Sequence, residues 1–374
     1  MAGLYIHVPF CRQACRYCDF YFTVSLKYRD EFVSALLKEI SFRKNAIIKE
    51  KISTIYLGGG TPTALSKDQL QRIMGSVIHN YNIDVNAEIT IEANPDDLTG
   101  DYLDFLRGEG FNRLSIGIQS FQEKDLKLMR RSHNAKQAKA CLGLAQSKGF
   151  ENISIDLIYG LPGLSLSEWD ENVKITIEQA VPHISAYHLT YEPGTIFYHW
   201  RANRRLTELP EQKSRDQYYL LRNLTGSADY EHYEISNFAR KGFLSRHNSA
   251  YWTGKNYLGL GPSAHSFNGK ERSWNVRSLK KYIEKINSGK KHTESEVLTL
   301  KDSYHDYLIT ALRTAVGVDT DYIRNRFGEK ILTHLISSIM PFTGSKDLLL
   351  DQGMLRMTPE GWLRSDQVIE ALML

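Results

Sequence analysis

No stretch of the 374 residues approaches the run of about 18 apolar side chains that a membrane-spanning helix needs. The opening Met1-Ala2-Gly3-Leu4-Tyr5 has no cationic segment followed by an apolar one, so no secretory leader is expected and the chain reads as cytoplasmic. An excess of one charge is missing too. Against 47 Lys and Arg stand 43 Asp and Glu, and a net +4 is too small and too mixed for a nucleic-acid surface. The one local basic cluster, Arg201, Arg204 and Arg205, reads as a solvated face. Cysteine is scarce, at four, and three of the four lie between positions 11 and 18. Three neighbours cannot all pair with one another, which excludes a disulfide framework. Cys141, among Leu142, Leu144 and Ala145, reads as a small buried hydrophobe.

What is present is an alternation. Short apolar runs rich in β-branched residues fall at Leu4–Val8, Thr54–Leu57, Ile89–Ala93, Leu114–Ile118, Ile153–Ile158 and Ile184–Leu189. Amphipathic segments at Asp30–Arg43, Asp68–Ile78, Ala135–Ser147 and Ser167–Gln179 separate them. Continuous apolar runs suit strands buried on both faces, so the pattern predicts an α/β fold with a parallel sheet and crossover helices. There are too few units for a closed eight-stranded barrel, which leaves an open (β/α)6-type partial TIM barrel. Ser66, and Ser165 or Ser167, stand where helix N-caps are expected. Tyr233–Phe238 reads as one more strand, and 241–269 as a loop region rich in glycine and aromatic residues. Beyond Leu298 the chain turns helical, with Tyr307–Ala315 and Tyr322–Phe327 clearest, and it ends in a winged-helix-like pattern. The expected division is a core over 1–235, a connecting region over 236–295 and a C-terminal, mainly helical domain over 296–374.

Cys11, Cys15 and Cys18 form C-x3-C-x2-C directly after the first strand, in the first βα loop. Loops at that end of a (β/α) barrel form its active face. Three thiolates can hold three irons of a cubane cluster and leave the fourth iron open to a substrate. A zinc ion completed by His7 or a later residue is the other reading of the triplet. Gly58-Gly59-Gly60-Thr61-Pro62 ends the second strand, where glycines let backbone groups approach a ligand.

The run Tyr5-Ile6-His7-Val8-Pro9-Phe10-Cys11 through Cys15-Arg16-Tyr17-Cys18-Asp19-Phe20 resembles the cluster loop of radical S-adenosylmethionine (SAM) proteins. More narrowly, it is similar to the oxygen-independent coproporphyrinogen III oxidases and the related HemW family of haem chaperones. The resemblance continues through Gly58–Thr63, Ile91–Pro95, Ser115–Phe121, Ile155–Gly163, Tyr191–Thr195, Tyr233–Arg240, Arg246–Trp252 and Tyr257–Ser266. It implies a radical SAM core, a [4Fe-4S] cluster on the three cysteines and SAM at the open iron, where reduction of the sulfonium yields a 5′-deoxyadenosyl radical. Carried over by position, Tyr17 would lie against the adenine. Gly59, Gly60 and Thr61 would meet the methionyl amino end. Arg131, rather than Arg130, would pair with the carboxylate, while Glu92, Gln119 and Asp156 would serve the ribose or amino group. Tyr5 would line the same site.

Within the resemblance two activities compete. The oxidases carry a further cysteine after the triplet, where this chain has Asp19-Phe20, and a long segment ahead of a cluster loop that here already begins at position 11. The element His247-Asn248-Ser249-Ala250-Tyr251-Trp252 resembles the HNxxYW pattern of the chaperone branch, which makes His247, Tyr251 and Trp252 the haem candidates. His265 ranks behind His247, and His188 and His199 behind both. The expectation is a haem chaperone with a [4Fe-4S] cluster, SAM and haem. It would hand haem to an acceptor protein such as a membrane-bound respiratory enzyme, with no nucleic-acid partner and with a homodimer as one form. Oxidative decarboxylation of coproporphyrinogen III is the alternative, and a radical SAM reaction on an unrelated substrate is the third.

Overall fold

In the computed structural model, which describes residues 1–47 and 49–374, six parallel strands follow one another in chain order. They are β1 (Ala2–Val8), β2 (Ile52–Gly59), β3 (Ile83–Ala93), β4 (Arg113–Gln119), β5 (Asn152–Tyr159) and β6 (His183–His188). Each pairs in parallel with the next. Among the described residues β6 does not pair back onto β1, so the barrel is open, as the strand count predicts. Every residue of β4 is buried, which is why these strands read as unbroken apolar runs.

Crossover helices cover the outer face: α1 (Arg29–Arg43), α2 (Lys67–Asn80), α3 (Gly100–Gly108), α4 (Glu123–Met129), α5 (Ala135–Ser147) and α6 (Leu166–Glu178). Local chemistry sets their starts. Ser66 caps α2 in a reciprocal pair with Gln69, and Ser165, not Ser167, caps α6 with Glu168. Trp169 of α6 is fully buried and donates its indole N–H to the Gln217 carbonyl at 2.9 Å. Truncating a ring so placed costs about 3–5 kcal/mol.

Two regions differ from expectation. Tyr233–Phe238 is not one strand but a hairpin of β7 (Glu231–Glu234) and β8 (Asn237–Ala239), antiparallel to each other, and β8 extends the sheet beyond β6. Two further helices, α7 (Ile196–Ala202) and α8 (Glu211–Ser227), precede it. The supposed loop 241–269 is largely ordered. It holds α9 (Arg246–Trp252), then β9 (Tyr257–Leu260) running parallel to β1, then β10 (His265–Phe267). With β11 (Glu271–Asn275), α10 (Leu279–Asn287) and β12 (Thr293–Val297), this segment completes a 12-stranded sheet. A buried carboxylate pins it down. Glu39 of α1 accepts from Tyr282 Oη at 2.6 Å, Asn275 Nδ2 at 2.8 Å and the Gly261 amide at 2.8 Å, and it meets His292 Nε2 at 3.0 Å.

The C-terminal residues pack a second apolar cluster between Tyr304 and Leu372. Its elements are α11 (Leu300–Ala311), β13 (Val318–Asp319), α12 (Thr320–Phe327), α13 (Glu329–Gly344), β14 (Leu348–Asp351), β15 (Met354–Met357), α14 (Pro359–Leu363) and α15 (Ser365–Leu372). Helices followed by the β14–β15 hairpin give the winged-helix-like arrangement. His232 stacks on Phe238 and meets Trp362 edge-on at 4.4 Å, which seats this module on the barrel. Among the described residues no helix is long and apolar enough to cross a membrane.

Candidate active site and haem site

The C-terminal ends of the parallel strands open into a cavity of about 1300 Å³. Cys11, Cys15 and Cys18 border it, on a loop that runs from β1 across to α4. Arg16 anchors that loop: its amide donates to the Met129 carbonyl at 3.1 Å, its guanidinium to the Leu128 carbonyl at 3.0 Å, and it lies over the Trp200 ring at 4.6 Å. All three thiols are free and half-buried. Burial pushes the Cys11 thiol up to about 11 and the Cys18 thiol up to about 12, so metal binding there must displace protons. Among the described residues no three His, Cys, Asp or Glu groups converge on a single ion. A cubane cluster asks for less convergence, since each thiolate takes its own iron corner.

Around the loop stand most of the residues expected at the SAM site. Tyr17, Gly59, Gly60, Thr61, Glu92, Gln119, Arg131 and Asp156 all border the cavity. Gly59 has φ +105°, and a Cβ there would run into the His7 ring. A Cβ on Gly60 would lie 2.7 Å from the Phe10 carbonyl oxygen, so only glycine lets the β2 end lie this close to the cysteine loop. Thr61 Oγ1 is 3.6 Å from Cys11 Sγ. Glu92 accepts from Tyr56 Oη at 2.7 Å and from the Gly59 amide at 3.0 Å, and burial raises its carboxyl to about 7. Burial likewise raises Asp156 to about 6. Gln119 ends β4 at φ 68°, a backbone state that a non-glycine residue rarely holds without reason.

Arg130 and Arg131 are told apart by the left-handed Arg130, which caps α4. Arg130 turns outward, while Arg131 turns in and donates to Asn94 Oδ1 at 2.5 Å and the Gly117 carbonyl at 2.9 Å. Its Nε is buried and, among the described residues, has no partner. A Cβ on Gly117 would sit 3.2 Å from that guanidinium, so the glycine leaves the room the arginine occupies. Two carboxyls and one guanidinium with a spare donor complement a ligand that carries an amino group, a sulfonium and a carboxylate. Sequence reasoning missed Asn94, Ser115 and Gly117 here, although two of the quoted motifs contain them. It also missed the far wall, Arg313, Trp362 and Arg364 from the C-terminal module, for which no local signal exists.

Tyr5 is a correction. It does not reach this cavity; its ring packs toward Tyr56 and His247, its hydroxyl meets His7 Nδ1 at 3.1 Å, and it borders a second, smaller cavity. His247 is another. Ser245 caps α9, and the His247 imidazole lies inward, 1% exposed. Its Nδ1 is bonded with Thr54 Oγ1 at 2.8 Å and its Nε2 with Tyr251 Oη at 2.9 Å. Burial, then Arg113, lowers its pKa to about 3. Both ring nitrogens are thus hydrogen-bonded, and the imidazole packs between Tyr5 and Tyr56. Tyr251 and Trp252 do border the large cavity, and the Trp252 indole N–H is buried with no partner among the described residues. His188 stands exposed at the cavity rim and His199 is exposed on α7. His265 borders the smaller cavity, of about 420 Å³, with Tyr5, His7, Phe20, Tyr257 and Arg277.

Comparison with known proteins gives three findings. Residues 5–175 match the radical SAM superfamily. The whole chain aligns at 34% identity with 99% of a Bacillus subtilis protein named heme chaperone HemW, and 70% of it aligns at 38% identity with 69% of the Escherichia coli protein of that name. Among solved structures, coproporphyrinogen III oxidase (HemN) from Escherichia coli, described as a radical SAM enzyme, superposes with a TM-score of 0.87 at 26% identity, over the whole chain and 90% of its own.

Proposed function

Because the chain belongs to the HemW family of haem chaperones within the radical SAM superfamily, we propose that it binds haem and delivers it to an acceptor protein. The observation that carries this reading is the end-to-end match to relatives bearing that name. The cysteine-bearing loop beside a cavity with paired carboxyls and an inward arginine supports the scaffold half of it.

In this reading Cys11, Cys15 and Cys18 hold a [4Fe-4S] cluster. When bound, such a cluster with SAM supplies one-electron reducing chemistry to the cavity. The protein's part is placement. Arg131 and the backbone of Gly59, Gly60 and Thr61 position the amino-acid end of SAM, Glu92, Asp156 and Gln119 its ribose or amino group, and Tyr17 its adenine. Arg313, Trp362 and Arg364 of the C-terminal module border the same cavity. Haem is cargo, passed to an acceptor of the kind found among membrane-bound respiratory enzymes, from a protein resident in the cytoplasm and able to form homodimers.

A second reading, oxidative decarboxylation of coproporphyrinogen III, draws on the 0.87 superposition with the oxidase. One experiment separates the two. Anaerobically reconstituted protein is given SAM, an electron donor and coproporphyrinogen III, and the same sample is then titrated with haem. The chaperone reading expects a saturable Soret change and no protoporphyrinogen; repeated turnover to protoporphyrinogen overturns it.

A further inference from the structure

Of the histidines near the barrel mouth, His247 has both ring nitrogens bonded, whereas His265 is exposed and, among the described residues, has no hydrogen bond on its ring. His265 opens β10 and borders the 420 Å³ cavity, a size within the range of about 300–1,000 Å³ usual for small-molecule sites. The other walls suit a flat, partly apolar ligand. Phe20, 67% exposed, offers its ring to this cavity and borders the larger one as well. Tyr251 and Tyr257 meet edge to face at 4.7 Å. At the rim, exposed Arg277 donates to the Asp19 carbonyl at 2.9 Å and, among the described residues, makes no ion pair. Burial, then Arg272, lowers the His265 pKa, which keeps a lone pair available at neutral pH.

We propose that this smaller cavity is where haem is carried, with His265 as axial ligand to the iron, Phe20 and Tyr257 against the macrocycle, and Arg277 paired with a propionate. The proposal rests on the haem-chaperone reading and gives that reading its site. An open cleft leaves one macrocycle edge in solvent, as a carrier that must release its cargo requires. Phe20 lies two residues beyond Cys18, so the haem would sit against the same loop that carries the cysteines. Tyr251 borders both cavities and forms part of the wall between them.

The test is a titration of the anaerobically reconstituted full chain with ferric haem, followed by difference absorption and EPR. His265→Ala, His247→Ala, His188→Ala and Arg277→Ala are compared with the unaltered chain. His265→Ala is expected to weaken binding roughly tenfold or more and to lose the axial-ligand signature, with iron–sulfur content unchanged. Millimolar imidazole should restore that signature, which it would not do for a residue that only shapes the fold. Arg277→Ala should weaken binding about two- to fivefold and leave the signature intact. Wild-type affinity and spectrum in His265→Ala overturn the site, as does a loss that imidazole fails to restore. A loss of the axial signature in His188→Ala instead would place haem in the larger cavity and also overturn it. If the unaltered chain binds no haem, the chaperone reading itself falls.

Discussion

Arg131 Nη1 lies 3.2 Å from Cys15 Sγ, while Nη2 of the same guanidinium holds Asn94 and the Gly117 carbonyl. One side chain thus ties the cysteine loop to the ends of β3 and β4. Lysine cannot reproduce this, because a single ammonium lacks the planar fork that serves three acceptors at once. Arg131→Lys is expected to weaken SAM binding to the reconstituted protein roughly tenfold, by calorimetry or equilibrium dialysis. Unchanged SAM affinity would remove Arg131 from the site.

Replacing Cys11, Cys15 and Cys18 together by Ala should abolish the brown iron–sulfur chromophore and bound iron. The thiols are half-buried and lie outside the apolar core, so far-ultraviolet circular dichroism should stay close to wild type. Survival of the chromophore would refute the cluster assignment.

Asp347 is 2% exposed on its side chain and takes two hydrogen bonds from the Arg364 guanidinium, which is half-exposed. This pair fastens α14 and α15, which wall the large cavity, to the start of β14. Arg364→Ala leaves a buried carboxylate without its cation. Discounted for the exposed arginine, the loss should be about 1–2 kcal/mol in chemical denaturation. No change in the transition midpoint would show that Asp347 is satisfied without Arg364.

The strands of the open barrel were legible because both their faces are buried: β1, β2, β4 and β5 are buried almost throughout and rich in aliphatic residues. The sheet extension was not. β9 pairs with β1 across some 250 residues of chain, and β12, Thr293-Glu-Ser-Glu-Val297, is a mostly exposed edge strand whose charges mask its nature. At the site, motif spacing placed the cysteines and the glycine turn, since those depend on local backbone. The directions of Tyr5 and His247 were not legible in it, because direction is a tertiary property. Tyr5, in the middle of β1, faces the smaller cavity, and the buried His247 meets Thr54 and Tyr251 in the barrel wall. Arg313, Trp362 and Arg364 meet the site only through folding of a distant module.

His247→Ala separates packing from ligation. The imidazole fills a slot beside Tyr56, 5.0 Å between ring centres, and its loss leaves Thr54 and Tyr251 hydroxyls without a partner. The expected cost is about 2–4 kcal/mol at pH 7.5, combining a cavity with lost buried hydrogen bonds. The pH dependence then identifies the cause. In the fold this histidine titrates at about 3, against roughly 6.5 in the unfolded chain. Between those values the unfolded chain holds a proton that the fold refuses, so wild-type stability falls as pH drops through that window. The Ala variant lacks this loss, while other groups, such as Glu92 and Glu234 with their raised values, are common to both chains. The gap between wild type and variant should therefore narrow from pH 7.5 to 4.5, by up to about 1.4 kcal/mol per pH unit below 6.5. A gap that stays constant would mean that the imidazole is not held neutral by burial. A histidine that accessible would again compete with His265 for iron.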